Sequence, residues 1–406
     1  APGGPVYRVA PPDAEMDALR SARQARAALR DSLSLAARER HAEDQRLKKL
    51  EARQLRLDWR GIDKPPGPEA FAAAFHFPPR AQYATGTCWA FSATSFIESE
   101  VERLNGRRVK LSEMWLVYWE YVEKARRFVR EYGRSAFGEG SQDHALQDIY
   151  ARYGAVPADA YRGCPDEEGR HDHTELAERL DALLSWVEER ACWEEALVVD
   201  LVRSLLDEYL GVPPEVFDYE GRTHTPPDFL RDVLALDLDA YVSVVSTLRE
   251  PFGEWTLLDV HDNWRRREDF LNLPLPEFYR VLREAAREGC TAVLGVDVSE
   301  PGMDGLEDAA VVPSWDIPAE FIDQFSRELR IANRATTDDH GNHCVGHLAW
   351  GGRDWFLIKD SNRSSRQGRF PGYAFYDGDY IRLKALCFTV HRDRLAGLLP
   401  EAPPPR

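Results

Sequence analysis

The chain has 406 residues, 43% hydrophobic and 30% charged, an ordinary balance for a soluble globular protein with room for a sizeable core. Its formal net charge of −17 argues against nucleic acid or an anionic membrane surface as the main partner. No apolar run approaches the roughly 20 residues that a membrane span needs, and the six cysteines include no CxxC pair that would suggest zinc or a dense disulfide framework.

Residues 1–12 are rich in Pro and Gly. From Asp13 to about Asp58 the composition turns to Ala, Leu, Arg and Glu with almost no breakers, which predicts one or two long helices. Their apolar stripe (Met16, Leu19, Ala22, Ala27, Leu29) is thin, so residues 1–65 read as a helical arm or packing flange. The main domain then runs over 66–400, and a Pro-rich tail over 394–406. Pro65, Pro66, Pro68, Pro78 and Pro79 deliver an irregular segment to Gln82.

The stretch Gln82 to Glu100 reads QYATGTCWAFSATSFIESE. Cys88 sits in a turn of small residues and opens an amphipathic run. Trp89, Phe91, Phe96, Ile97, Val101 and Leu104 recur at helical spacing, and Asn105-Gly106 supplies the stop. A thiol at a helix N-terminus meets the positive end of the macrodipole, which favours the nucleophilic thiolate. The ordinary fate of a free cysteine stands against this: most are buried and inert.

Next comes LSEMWLVYWEYVEKARRF, a helix with Ser112 as N-cap and Trp115, Leu116, Trp119 and Val122 on its apolar face. A glycine turn at 138–140 leads into a short helix from Gln142 to Tyr153, which Gly154 ends. Residues 164–210 hold a further helical run with Leu176, Leu180, Leu183, Leu184 and Val187 on one face, stopped by Gly211 and Pro213. Short strand-like runs follow at Tyr241–Ser246 and Trp255–Val260, then a helix at Pro276–Glu288 and a β-type run at Ala292–Val298. Strands are expected at Cys344–Trp350, Trp355–Lys359, Tyr373–Tyr376 and Cys387–His391. Helices early and strands late indicate an α+β fold with segregated lobes.

A cysteine nucleophile needs a histidine within hydrogen-bond reach and a third group to orient the imidazole. The candidates lie in TTDDHGNHCVGHLAW, which holds His340, His343 and His347, and in WFLIKDSNRSS, which holds Asp360. A metal site built from His340, His343, Cys344 and His347 is the rival, since those spacings would share a helix face. Gly341, Gly346 and the surrounding β-type residues argue for a strand instead, which sends odd and even positions to opposite faces.

Gln82 six residues before Cys88, Trp89 directly after it and the apolar helix behind resemble the nucleophile segment of papain-like cysteine peptidases. With LSEMWLVYWEYVEKA, YGAVP, TPPDFL, LDLDAYVSVV and EGCTAVLGVDVSE, the stretch from Gln82 to about Asp393 resembles their bleomycin hydrolase/aminopeptidase C branch. The resemblance implies a two-lobed papain-like fold with a cleft between the lobes. The helical lobe would span 82–160, a family insertion 161–290 and a β-rich lobe 291–393.

It further implies that Cys88 is the nucleophile and His340 the base, with Gly341 beside it and Gly346 six residues on. Asp360 would orient the histidine, and Gln82 with the Cys88 N–H would form the oxyanion hole. Gly140 and Trp89 would line the substrate cleft. The implied activity is that of an aminopeptidase acting on peptides, with no metal or organic cofactor and with a hexameric homo-oligomer as the family's assembly. Thr85 stands where secreted relatives carry a disulfide cysteine, which points to a reducing, cytoplasmic setting. An exported mature form stays open, because the initial Ala-Pro-Gly-Gly is what either Met removal or signal cleavage leaves.

Two departures matter. The family's Lys-Asn-Ser-Trp is Lys359-Asp360-Ser361-Asn362 here. The Asp360 charge should raise the histidine pKa, and the missing Trp should leave the pair wetter. The tail GLLPEAPPPR matches no cleft-occupying terminus. An endopeptidase, an acyl transferase and an inactive peptide-binding scaffold are the alternatives.

Overall fold

The breaker-free Ala/Leu/Arg/Glu stretch forms one continuous helix, α1 (Ala14–Glu51), with i,i+3 ion pairs Asp17–Arg20 and Glu43–Arg46 along it. The computed structural model describes residues 14–51, 55–362 and 366–401. It divides into two compact units, Ala1–Leu55 and Arg56–Arg406. The predicted tail beyond residue 401 lies outside the described residues.

Within the larger unit the helical half comes first. It contains α2 (Cys88–Asn105), α3 (Glu113–Arg130), α4 (Ala145–Tyr153), α5 (Thr174–Arg190) and α6 (Glu195–Leu210). Their boundaries follow local chemistry. Ser112 Oγ accepts from the Trp115 N–H at the start of α3, and Gly106 closes α2 in the left-handed region. The single run expected over 164–210 is two helices, because Ala191 takes a left-handed conformation at the end of α5 (φ 49°). Trp115, Tyr118 and Val122 of α3 pack with Leu176, Leu180, Val198, Val202 and Leu206 of α5 and α6 in one core. Leu104, expected on the apolar face of α2, is exposed instead.

The remaining elements are β1 (Ala72–Ala73), β2 (Phe217–Tyr219), β3 (Arg222–His224), α7 (Pro226–Phe229), β4 (Tyr241–Val245), β5 (Trp255–Thr256), β6 (Phe270–Asn272), α8 (Leu275–Arg287), β7 (Ala292–Val296), β8 (Met303–Asp304) and β9 (Ala309–Ala310). They continue through α9 (Gln324–Ala332), β10 (His340–Trp350), β11 (Arg353–Lys359), β12 (Tyr373–Asp377), α10 (Gly378–Lys384) and β13 (Ala385–His391). One sheet runs in the order β5-β6-β4-β13-β7-β10-β11-β12-β9-β8, with β1 added on β10.

The strands of the middle segment, β4 to β6, are therefore part of the main sheet through the β4–β13 pairing. Leu294, Phe356, Ile358 and Phe388 of the sheet meet Phe278 and Leu282 of α8 in a second core. The two halves touch where α2 crosses β10. A Cβ at Gly341 would lie 2.9 Å from Ser92 Oγ and 3.1 Å from the Trp89 Cα, so glycine lets the strand reach the helix backbone.

Candidate active site

Cys88 is the first residue of α2, where a helix leaves its initial N–H groups without intrahelical partners. The turn before it is tied down from several sides. Thr85 Oγ1 donates to the Gln82 carbonyl (2.9 Å), and the Gly86 N–H donates to the Glu139 carboxylate. Glu139 also pairs with His173, and its carbonyl accepts the Trp89 indole N–H at 3.1 Å. Trp89, expected along the cleft, is 2% exposed and lines the small cavity beside Cys88 and His340, while its indole anchors this turn. The Gln82 amide donates one N–H to the Thr85 carbonyl (2.7 Å), and its oxygen accepts from Ser361 Oγ (2.7 Å).

His340 opens β10 opposite Val296 of β7, and Asp360 follows the last residue of β11. The two strands pair side by side, which brings together residues far apart in sequence. His340 Nε2 donates to Asp360 Oδ1 at 2.6 Å, and the same oxygen accepts the Asn362 N–H at 2.9 Å. The other face of the imidazole is hydrogen-bonded to the Cys88 side chain.

Burial acts most strongly on His340 and opposes its charge. The Asp360 carboxylate and the Cys88 sulfur outweigh it and hold the imidazole well above its ordinary pKa. Burial likewise raises Asp360, but the His340 charge and backbone N–H bonds hold it below the usual carboxylate range. The arrangement stabilises an imidazolium between a thiol sulfur and a carboxylate, which suits nucleophilic and acid–base chemistry.

The expectation of a wetter site is overturned. His340 is 5% and Asp360 3% exposed. In place of a Trp cover, the Gln82 N–H bonds to the Ser361 carbonyl (3.1 Å) and the Asp360 N–H to the Gly372 carbonyl (2.9 Å), drawing two loops over the pair.

The neighbouring histidines have separate partners. His343 Nδ1 is hydrogen-bonded to Ser95 Oγ (2.8 Å), which itself accepts from Lys359 Nζ (2.8 Å). His347 bonds Asp354 (2.7 Å). Both rings serve packing between elements.

Cys88 and His340 line a cavity of about 30 Å³ together with Gln142, Asp143, Asp262, Asp338 and Asp339. Burial is the largest influence on three of these acids. It pushes Asp338 up to about 7, and Asp143 and Asp339 up to about 6. Gly140 stands at the same place: its carbonyl accepts from Lys124 Nζ at 2.5 Å, and Asp262 lies against its Cα. Sequence reasoning missed these acids. Asp338 and Asp339 directly precede the candidate histidine and were open to notice, whereas Asp262 sits in HDNWRRRED and carries no local signal.

The model of the Peptidase C1-like family matches residues 76–317, more than half of the chain. Aminopeptidase C of Lactobacillus delbrueckii subsp. lactis is 25% identical over 265 residues, which cover 54% of this chain and 58% of that protein. Aminopeptidase C of Lactococcus lactis subsp. cremoris is 24% identical over 66% of this chain and 68% of its own length. A Saccharomyces cerevisiae protein named cysteine proteinase 1, mitochondrial, is 24% identical over 44% of this chain and 46% of its own length. The first of these matches thus spans less than two thirds of the relative.

The solved structure of PepW from Lactobacillus rhamnosis shares the fold, with a TM-score of 0.67 and 17% identity over 82% of this chain and 84% of that one. The matches fall in the bleomycin hydrolase/aminopeptidase C branch to which the sequence pointed. With its papain-like α+β architecture, the chain belongs to the Peptidase C1-like family.

Proposed function

We propose that the protein is a cysteine peptidase that removes residues from the N-terminus of peptides. The observation that carries this reading is His340, hydrogen-bonded to Asp360 on one side and to the Cys88 side chain on the other. The Cys88 thiolate attacks the scissile carbonyl carbon and forms a C–S bond. The resulting oxyanion takes hydrogen bonds from the Cys88 N–H and from the second N–H of the Gln82 amide, whose first is held by Thr85. His340 donates its proton to the leaving amine as the C–N bond breaks, leaving an acyl-thioester. His340 then takes a proton from water, which attacks the thioester, releases the carboxylic acid and restores the thiolate–imidazolium pair. Asp360 keeps the imidazole aligned throughout.

Relatives named aminopeptidase C support the exopeptidase mode. Incubation with short unblocked peptides should release free N-terminal amino acids in sequence, and Cys88→Ala should abolish the release. Undiminished release by Cys88→Ala would refute the mechanism, and exclusive internal cleavage would refute the mode.

A further inference from the structure

We propose that Asp262 closes the substrate cleft beyond Gly140 and receives the free α-ammonium group of the substrate, which restricts the enzyme to peptides with an unblocked N-terminus. The inference rests on the peptidase reading above and deepens it.

The space beside the nucleophile is small. At about 30 Å³, the cavity shared by Cys88, His340 and Asp262 has room for a group the size of one ammonium or water. A peptide extending from Cys88 along Gly140 finds that edge already occupied. The Gly140 carbonyl accepts from Lys124 Nζ, and a Cβ built on Gly140 would lie 2.7 Å from Asp262 Cγ. The carboxylate covers the glycine face, so an extended chain has no path onward.

The wall at this point is acidic, and Asp262 has its neighbour His261 within 3.3 Å on its outer side. Among the described residues no Lys or Arg forms an ion pair with Asp262, Asp338 or Asp143. Lys124, the nearby ammonium, is directed to the carbonyls of Gly138 (2.6 Å) and Gly140.

Asp262 is also held in place. Trp264 Nε1 (2.6 Å) and Arg265 Nη1 (2.7 Å), two and three residues on, both bond the buried Glu120 carboxylate. A substrate ammonium would therefore meet a carboxylate carried on an anchored backbone segment. Leu399 and Pro400 lie in a separate cavity with Tyr241 and Trp255, and the Glu401 carbonyl accepts from Trp255 Nε1 (3.2 Å).

The test compares wild type, Asp262→Asn and Asp262→Ala on an aminoacyl fluorogenic amide and on N-acetylated dipeptidyl and tripeptidyl amides. Alkylation of Cys88 by iodoacetamide reports whether the fold and nucleophile persist. Loss of one charge-assisted contact should lower kcat/KM for the free-amine substrate by about 10- to 100-fold in Asp262→Asn, chiefly through KM, with alkylation retained. Asp262→Ala should in addition gain activity on the acetylated substrates.

An unchanged preference for the free amine in Asp262→Asn with alkylation retained would overturn the proposal. Loss of alkylation in both variants would overturn it too, since Asp262 would then be structural. If Cys88→Ala cleaves as well as wild type, the peptidase reading itself falls, and this proposal with it; only that result separates the two failures.

Discussion

His340 joins the two halves of the site, and its partners set its proton affinity. The imidazole is raised well above its ordinary pKa against the cost of burial, through the Asp360 charge and the Cys88 sulfur. A raised value means that the proton is held to higher pH, so the alkaline limb of kcat/KM lies where His340 finally loses it. Asp360→Asn keeps an acceptor for the imidazole N–H but removes the charge, and should move that limb down by roughly 1–3 pH units. A pH–rate profile measured on both proteins checks this, and an unmoved limb would contradict the assigned cause.

Resemblance to the papain-like pattern led to Cys88, His340 and Asp360, because each sits in a local mark of that pattern: a small-residue turn, a glycine spacing and a strand end. Asp262 carries none. Its place beside Gly140 exists only after a loop of the middle segment folds across the cleft.

At the scale of elements, the crossing of α2 over β10 decides whether Cys88 and His340 meet. Gly341 follows His340, and an added methyl would press on Ser92 Oγ at 2.9 Å and on the Trp89 Cα and N at 3.1 and 3.2 Å. The backbone of a helix's first turn yields little, so Gly341→Ala should displace α2 from the strand. A shift near 1 Å at reacting groups costs about 100-fold in rate, while overpacking costs about 1–3 kcal/mol in stability. Steady-state kinetics beside denaturant unfolding should show both, and wild-type kcat would contradict the alignment argument.

Ser112→Ala offers the contrast. It removes the α3 cap and a bond to the Tyr161 carbonyl (2.6 Å), neither of which touches Cys88, His340 or Asp360. Unfolding free energy should fall by about 1 kcal/mol with kcat unchanged.

Apolar periodicity and glycine or proline stops made most of the early helices legible in advance, with Ser112 the one cap read from the sequence. The break between α5 and α6 was hidden, since it rests on an alanine in a left-handed conformation that no residue type announces. The start of β10 at His340 was hidden as well, because pairing with β7 recruits a polar Asp-Asp-His-Gly run into the sheet.

For the molecule as a whole, the helix-first, strand-last order was enough to anticipate two lobes. It could not show that β4, β5 and β6 join the main sheet, because runs of two to five residues gain their identity only from partners distant in sequence. Across the molecule, α3 is clamped to the middle segment by Glu120, which is 2% exposed and holds Arg265, Trp264 Nε1 and Ser141 Oγ (2.5 Å). Glu120→Ala leaves the Arg265 guanidinium buried without this partner and should cost about 3–5 kcal/mol. Denaturant titration would reveal it, and a loss under 1 kcal/mol would mean that the clamp is dispensable.

The central claim is that Cys88 is a nucleophile activated by His340. Its most direct test is labelling with an epoxysuccinyl inhibitor, followed by mass mapping of the modified peptide. The account predicts one adduct on Cys88, absent in Cys88→Ala and strongly slowed in His340→Ala. An adduct that persists in Cys88→Ala, or that forms at wild-type rate without His340, would contradict it.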